Sequence, residues 1–260
     1  MMAMGVLSFS GNLTKWVACS ALAIACILPA SAEDQLKLNS GQVMNGQVLG
    51  YANGQIMFAT KTASGGTAKL PYRDELIATV TMDTPAAVAQ VKGAKPEAVV
   101  AALEPLVKQF AGLKVPWVTD AMGQLADAYN ALTPPQTDKA AAIYTQIDDL
   151  YPGSKYHYQA VAGRARIKVQ QGKADEAIKD LQPIIDEANK NLAPSQSEGG
   201  FYATVFIVYG QALESQKQFE KALEAYLTVK TMFYQNPALA EQSDQLAKKL
   251  REQHPDVGVE

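Results

Sequence analysis

The feature that most limits the fold of this chain is a spacing of small and large residues that recurs three times in its second half. Ala140 is followed by Tyr144 four residues later and by Ile147 seven residues later. An α-helix has about 3.6 residues per turn, so these three positions share one face. The same offsets start again from Ala177 and from Ala222. The spacing predicts a series of similar, stacked helices.

Each of these helices is predicted to be the second of an antiparallel pair. In the last segment Gly210 precedes Ala222 by twelve residues, with Leu213 and Phe219 between them. In the middle segment Gly172 precedes Ala177 by five residues. Small residues let two helices approach at their crossing, and the large residues four and seven positions on fill the groove between neighbouring pairs.

This order of small, aromatic, small and aromatic residues, closed in the first segment by Pro152, resembles the tetratricopeptide repeat (TPR). The resemblance covers about residues 117 to 237. The key alanines are 37 and 45 residues apart, against about 34 in the family. We attribute the larger excess to a loop over Asn191 to Gly200, whose composition is loop-like.

The helical region is predicted to begin near residue 85, since Pro85 and Pro96 stand where helices would start. The sequence that starts at Val99 is similar to the sequence that starts at Ala177, which predicts a fourth, degenerate repeat unit. Pro105 and Pro183 are expected to kink or restart their helices. The repeats are assigned to residues 85–236, and residues 237–260 to a capping helix and a mobile tail that carries His254.

Residues 33–82 are predicted to form a small β module. Asn53-Gly54 is a strong hairpin signal, because both central residues of a type I′ turn have positive φ. Ser64 to Gly66 marks a second turn, and Gly46 marks a sharp bend or bulge in mid-strand. The pattern of about five short strands resembles SH3-like or Sm-like barrels. The predicted fold class is therefore a small all-β barrel followed by an all-α TPR-like solenoid.

The first 32 residues resemble an export signal. A weakly basic head that ends at Lys15 precedes an apolar core and the small-residue run Ala30 to Ala32. The favoured interpretation is cleavage near Ala32 and a periplasmic or secreted product; the alternative is a lipoprotein anchored through Cys26. Cleavage near Ala32 would remove both cysteines, Cys19 and Cys26. No later segment approaches the roughly 20 apolar residues of a membrane-spanning helix.

Charge and motifs narrow the functional classes. The chain has 23 basic and 26 acidic residues, which gives no basic field for a nucleic acid. The two histidines, His157 and His254, are isolated, and the common hydrolase, nucleotide-binding and zinc motifs do not occur. The sequence therefore predicts no enzyme, no catalytic residue, no cofactor and no metal.

The candidate site is the concave surface of the repeats, which the first helix of each pair lines in TPR proteins. The resemblance carries nine groove positions onto this chain: Asp120, Asp127, Asn130, Gln159, Arg166, Gln170, Thr204, Gln211 and Glu214. They are mostly polar and of both charge signs, which suits a peptide or a protein segment.

The predicted function is a scaffold or adaptor of the bacterial cell envelope that binds a protein or peptide partner. The run from Tyr151 to Ser154 and the repeat that follows resemble periplasmic TPR proteins of envelope assembly. The alternative is glycan or peptidoglycan binding through the β module, with the repeats as a spacer. A homo-oligomer is compatible with either interpretation.

Overall fold

The computed structural model describes residues 33–191 and 194–258. The predicted export signal, with Cys19 and Cys26, lies outside the described residues. A five-stranded antiparallel sheet comes first, and helices occupy the remainder of the described chain. The strands are β1 Asp34–Leu38, β2 Val43–Ala52, β3 Gln55–Lys61, β4 Thr67–Arg73 and β5 Ile77–Thr81.

The sheet has the order β4-β3-β2-β1-β5, and β4 and β5 are its two edges. It is not closed into the barrel that the sequence pattern suggested. Asn53 (φ 52°) and Gly54 (φ 72°) form the predicted hairpin turn between β2 and β3. A 3₁₀ turn, Asp74–Leu76, connects the two edge strands.

Gly46 is the point at which β2 changes partner. Residues up to Gly46 pair with β1, and residues from Gln47 onward pair with β3. A Cβ on Gly46 would overlap the carbonyl oxygen of Ala59 and lie 2.9 Å from the ring of Phe58. The predicted bulge is found slightly later, between Val48 and Gly50.

Nine helices follow within the described residues. They are α1 Ala86–Gln90, α2 Pro96–Phe110, α3 Pro116–Ala131, α4 Thr137–Leu150, α5 Tyr156–Gln170, α6 Ala174–Ala188, α7 Gln196–Ser215, α8 Phe219–Met232 and α9 Pro237–Gln253. Proline opens α2, α3 and α9, where its missing N–H has no helical partner to lose. Helices α2 and α6 continue through Pro105 and Pro183, so neither helix restarts there.

Helices α3/α4, α5/α6 and α7/α8 pack as successive pairs, and α9 packs on α8. The first helices of the pairs also contact one another, α3 with α5 and α5 with α7, and α7 contacts α9. We call α3, α5, α7 and α9 the inner helices. Ala140, Ala177 and Ala222 are fully buried, as the predicted helix crossings require.

Gly172 lies in the turn between α5 and α6, with φ 76°, and Ala165, twelve residues before Ala177, is a fully buried small residue of α5. One expectation about the repeats needs correction. The expected loop over Asn191–Gly200 is shorter, because α7 already begins at Gln196. A capping box starts this helix: the N–H of Ser195 donates to the carboxylate of Glu198, and the N–H of Glu198 donates to the Ser195 hydroxyl.

The sheet is packed directly on the first helices. The Gln109 amide of α2 donates to the carbonyl oxygen of Leu49 at 2.6 Å, and the ring of Tyr51 covers Gly112. Leu36 and Phe58 belong to the same buried cluster as Leu103 of α2. The chain from Glu33 onward therefore forms a single unit, in which the β module shares its core with α2.

The end of the chain is also held in place. His254 stacks on Phe219 with 3.7 Å between ring centroids, and Val257 is buried. The tail up to Val257 therefore packs on the repeats, contrary to the expectation that it is mobile. Ser243 of α9 is fully buried, and its hydroxyl donates to the carbonyl oxygen of Tyr226 at 2.7 Å.

Replacing Ser243 with alanine is expected to lower the free energy of unfolding by about 1 kcal/mol, since a buried hydrogen bond between α9 and α8 is lost. Ser215→Ala is the matched control, because its exposed hydroxyl also donates to a backbone carbonyl, that of Gln211. Urea unfolding followed by circular dichroism measures both changes. Equal effects of the two substitutions would contradict the role given to Ser243.

Candidate functional site: the inner groove

Residues of the four inner helices, together with Asn236 just before α9, line an open cavity of about 520 Å³. Its charged and polar lining from α3 and α5 consists of Asp120, Asp127, Gln159 and Arg166. The α7 helix adds Gly200, Phe201 and Thr204, and the start of α9 adds Asn236, Leu239 and Gln242.

A second cavity, of about 790 Å³, adjoins the first one. Asp120, Asp127, Gln159 and Asn236 line both cavities, and α1 with the segment up to Pro96 forms the far wall of the second. We call the two cavities together the inner groove. The groove thus passes over α3, and α1 and α9 both contribute to its walls.

Five of the nine predicted groove residues line the first cavity: Asp120, Asp127, Gln159, Arg166 and Thr204. The other four do not line either cavity. Asn130 is buried, Gln170 is exposed at the end of α5, and Gln211 and Glu214 are half-buried on α7. The last three lie toward the C-terminal ends of α5 and α7, beyond Arg166 and Thr204, the last residues of these two helices that line the cavity.

Phe201, Asn236, Leu239 and Gln242 were missed by the sequence interpretation. Phe201 directly follows the expected loop. Leu239 and Gln242 belong to the segment assigned to the capping helix, and Asn236 is the last residue assigned to the repeats. The capping box at Ser195 and Glu198 is a sequence signal that would have placed Phe201 on the same helix as Thr204.

Asp127 joins three helices at the base of the groove. Its Oδ1 accepts from Arg166 Nη1 of α5 at 2.7 Å and from the Tyr144 hydroxyl of α4 at 2.6 Å. Burial, and then the nearby Asp127 carboxylate, raise the pKa of Tyr144, so this hydroxyl remains a donor at neutral pH. Asp127 and Arg166 therefore neutralise each other and hold α3, α4 and α5 together.

Asp120 differs from Asp127. It makes no ion pair with any cation among the described residues. The groove walls remove water from its carboxylate, which raises the pKa of Asp120, while the hydroxyl of Tyr156 acts in the opposite direction. Asp120 is still accessible from solvent. The groove thus contains one carboxylate without a matching positive charge.

The site offers hydrogen-bonding and charged groups from several helices. Within residues 33–191 and 194–258, no group of three or more His, Cys, Asp or Glu side chains is placed to hold a metal ion. In the same part of the chain, no helix combines the length and the apolar character needed to cross a bilayer. No family model, curated protein or solved structure matches this chain.

Proposed function

We propose that this chain is a non-enzymatic adaptor that binds a protein or peptide segment in the inner groove. The groove itself carries the proposal. It is lined by side chains of four successive inner helices and α1, and it presents amide, hydroxyl and carboxylate groups that can pair with an extended backbone.

A TPR-like class for the helices is part of this proposal. It is supported by the successive helix pairs, by the buried alanines at their crossings and by the position of the groove on the first helices. An open, SH3-like arrangement is proposed for the sheet. The pairing of β1 with both β2 and β5, the bend at Gly46 and the 3₁₀ turn before β5 support it.

We place the adaptor in the bacterial cell envelope, exported by the N-terminal segment and cleaved near Ala32, with lipidation at Cys26 as the alternative. This placement rests on the sequence pattern of residues 1–32.

Glycan binding through the β module is less well supported. The apolar side chains that the module exposes are aliphatic: Val43, Met57, Leu70 and Leu76. Tyr51 and Tyr72 are half-buried against the core and present little ring surface for stacking. Deleting residues 33–82 would also uncover the buried cluster shared with α2, so that deletion is not a clean test.

Blocking the groove tests the adaptor function. Gly200 lies in α7 on the groove wall, and the nearest atom to a Cβ there is Asn236 Nδ2 at 3.8 Å. A Cβ at this position therefore meets no close contact, and Gly200→Leu places a bulky side chain on the cavity wall. We expect proteins crosslinked to the tagged wild type in cells, and identified by mass spectrometry, to be reduced at least roughly tenfold with this variant.

Gln146→Leu is the control, because Gln146 is exposed on α4 and lines neither cavity. It adds the same leucine outside the groove and is expected to retain the wild-type set of partners. Recovery of the same partners with Gly200→Leu would contradict the groove assignment. Reversing Asp127 and Arg166 together is a weaker test, since the two residues pair and the double reversal could restore the pair.

A further inference from the structure

We propose that the segment bound in the inner groove presents a lysine or arginine side chain, with Asp120 as its counter-ion. This inference rests on the proposed function and specifies the chemistry of the partner. It follows from three features: the balance of charge in the first cavity, the aromatic ring of Phe201 in the same cavity as Asp120, and the space beside Gly200.

The charge balance favours a cation over an anion. Asp120, Asp127 and Arg166 are the charged residues that line the first cavity. Arg166 donates one N–H to Asp127 at 2.7 Å, so the positive charge of its guanidinium is already balanced within the cavity. Asp120 is left as the unmatched charge, since Lys92, the cation of the second cavity, is exposed on the wall beyond α3 and makes no ion pair with it.

The surroundings of Asp120 also suit an alkylammonium or guanidinium group. Phe201 lines the same cavity and is half-buried, and its ring meets that of Tyr156 edge-on with 5.6 Å between centroids. Tyr156 in turn interacts with the Asp120 carboxylate. A cation near Asp120 would thus have a carboxylate and aromatic surface within one cavity, a combination that attracts desolvated cations.

The remaining lining groups can hold the backbone that carries this side chain. Gln159, Thr204 and Asn236 supply neutral donors and acceptors on three different elements around the cavity. Gly200 leaves the wall between Thr204 and Asn236 open. These features favour an extended protein segment over a free small cation, which would need only the carboxylate.

Three small probes test the inference on the ¹⁵N-labelled protein. N-acetyl-lysine methylamide is titrated by NMR against the norleucine derivative, which has a similar stem without the charge, and against the glutamate derivative. We expect the lysine probe to shift the amide signals of Asp120, Phe201 and Thr204, and Asp120→Asn to weaken its binding about five- to tenfold. Asp149→Asn, an exposed carboxylate of α4, is expected to change nothing.

Equal shifts from the norleucine probe, preferential binding of the glutamate probe, or unchanged lysine binding by Asp120→Asn would each overturn the inference. The same variants separate it from the adaptor function. If Gly200→Leu loses the cellular partners and Asp120→Asn keeps them, the groove binds a partner but not through a basic side chain. If neither variant loses them, both proposals fail.

Discussion

Replacing Gly163 with alanine is expected to lower the free energy of unfolding by about 3 kcal/mol. Gly163 lies in α5 directly against the ring of Tyr144 in α4. A Cβ there would be 2.5 Å from Cε2 of that ring and closer still to its Cζ, well inside van der Waals contact. The methyl group can be accommodated only if the ring moves or the two helices separate.

The Tyr144 ring has no free direction in which to move. Its side chain is 1% exposed, and its hydroxyl is fixed by the bond to Asp127. Separation of α4 from α5 would therefore also disturb the Asp127–Arg166 pair at the base of the groove. Helix propensity alone predicts the opposite sign, because alanine is favoured over glycine inside a helix by about 0.5–1 kcal/mol.

Gly200→Ala is the matched control for this prediction. It makes the same exchange inside a helix, but the nearest atom to the new Cβ is 3.8 Å away. We expect it to stabilise the protein by up to about 1 kcal/mol. Urea unfolding followed by circular dichroism compares the two variants. A Gly163→Ala protein as stable as Gly200→Ala would mean that Tyr144 does not pack on Gly163 as described.

The parts of the fold that the sequence predicted well depend on local signals. Helix periodicity located the repeats, Asn53-Gly54 located the hairpin, and Pro96 marked the start of α2. Each signal acts within a few residues, so tertiary structure has little opportunity to override it. The signal for the start of α7 is equally local, in the capping box of Ser195 and Glu198, but the loop-like composition around it points to a loop instead.

The parts that were predicted poorly depend on distant residues. The importance of Gly163 arises only once α4 packs on α5 and brings Tyr144 over it. The sheet remains open because β4 and β5 do not pair, which strand patterns cannot reveal. In the groove, four of the six predicted residues on α3 and α5 line the first cavity, whereas Asn236 joins it only because the inner helices bring α9 beside α7.

Gly46→Ala is expected to have an effect as large as Gly163→Ala, about 3 kcal/mol or more, but in the sheet. The new Cβ would overlap the carbonyl oxygen of Ala59, which is a backbone atom in the neighbouring strand, and would lie 2.9 Å from the ring of Phe58. Phe58 is fully buried. Neither the backbone of β3 nor this ring can rotate away, so β2 and β3 would have to move apart.

This movement would occur where β2 passes from β1 to β3, and it would break the ladder that starts at the Gln47–Ala59 pair. Because Phe58 shares a buried cluster with Leu103 of α2, the damage should reach the first helices as well. Hydrogen exchange followed by mass spectrometry should therefore show faster exchange in β2, β3 and α2, with α7 and α8 less affected.

Gly54→Asn provides the comparison within the same pair of strands. A Cβ at Gly54 meets no atom within 4 Å, and asparagine tolerates the positive φ of 72° better than most residues. We expect the free energy of unfolding of the Gly54→Asn variant to differ from that of the wild type by less than about 1 kcal/mol. If Gly46→Ala were tolerated as well as Gly54→Asn, the bend of β2 would not require a glycine, and the close approach of β2 to Ala59 and Phe58 would have to be abandoned.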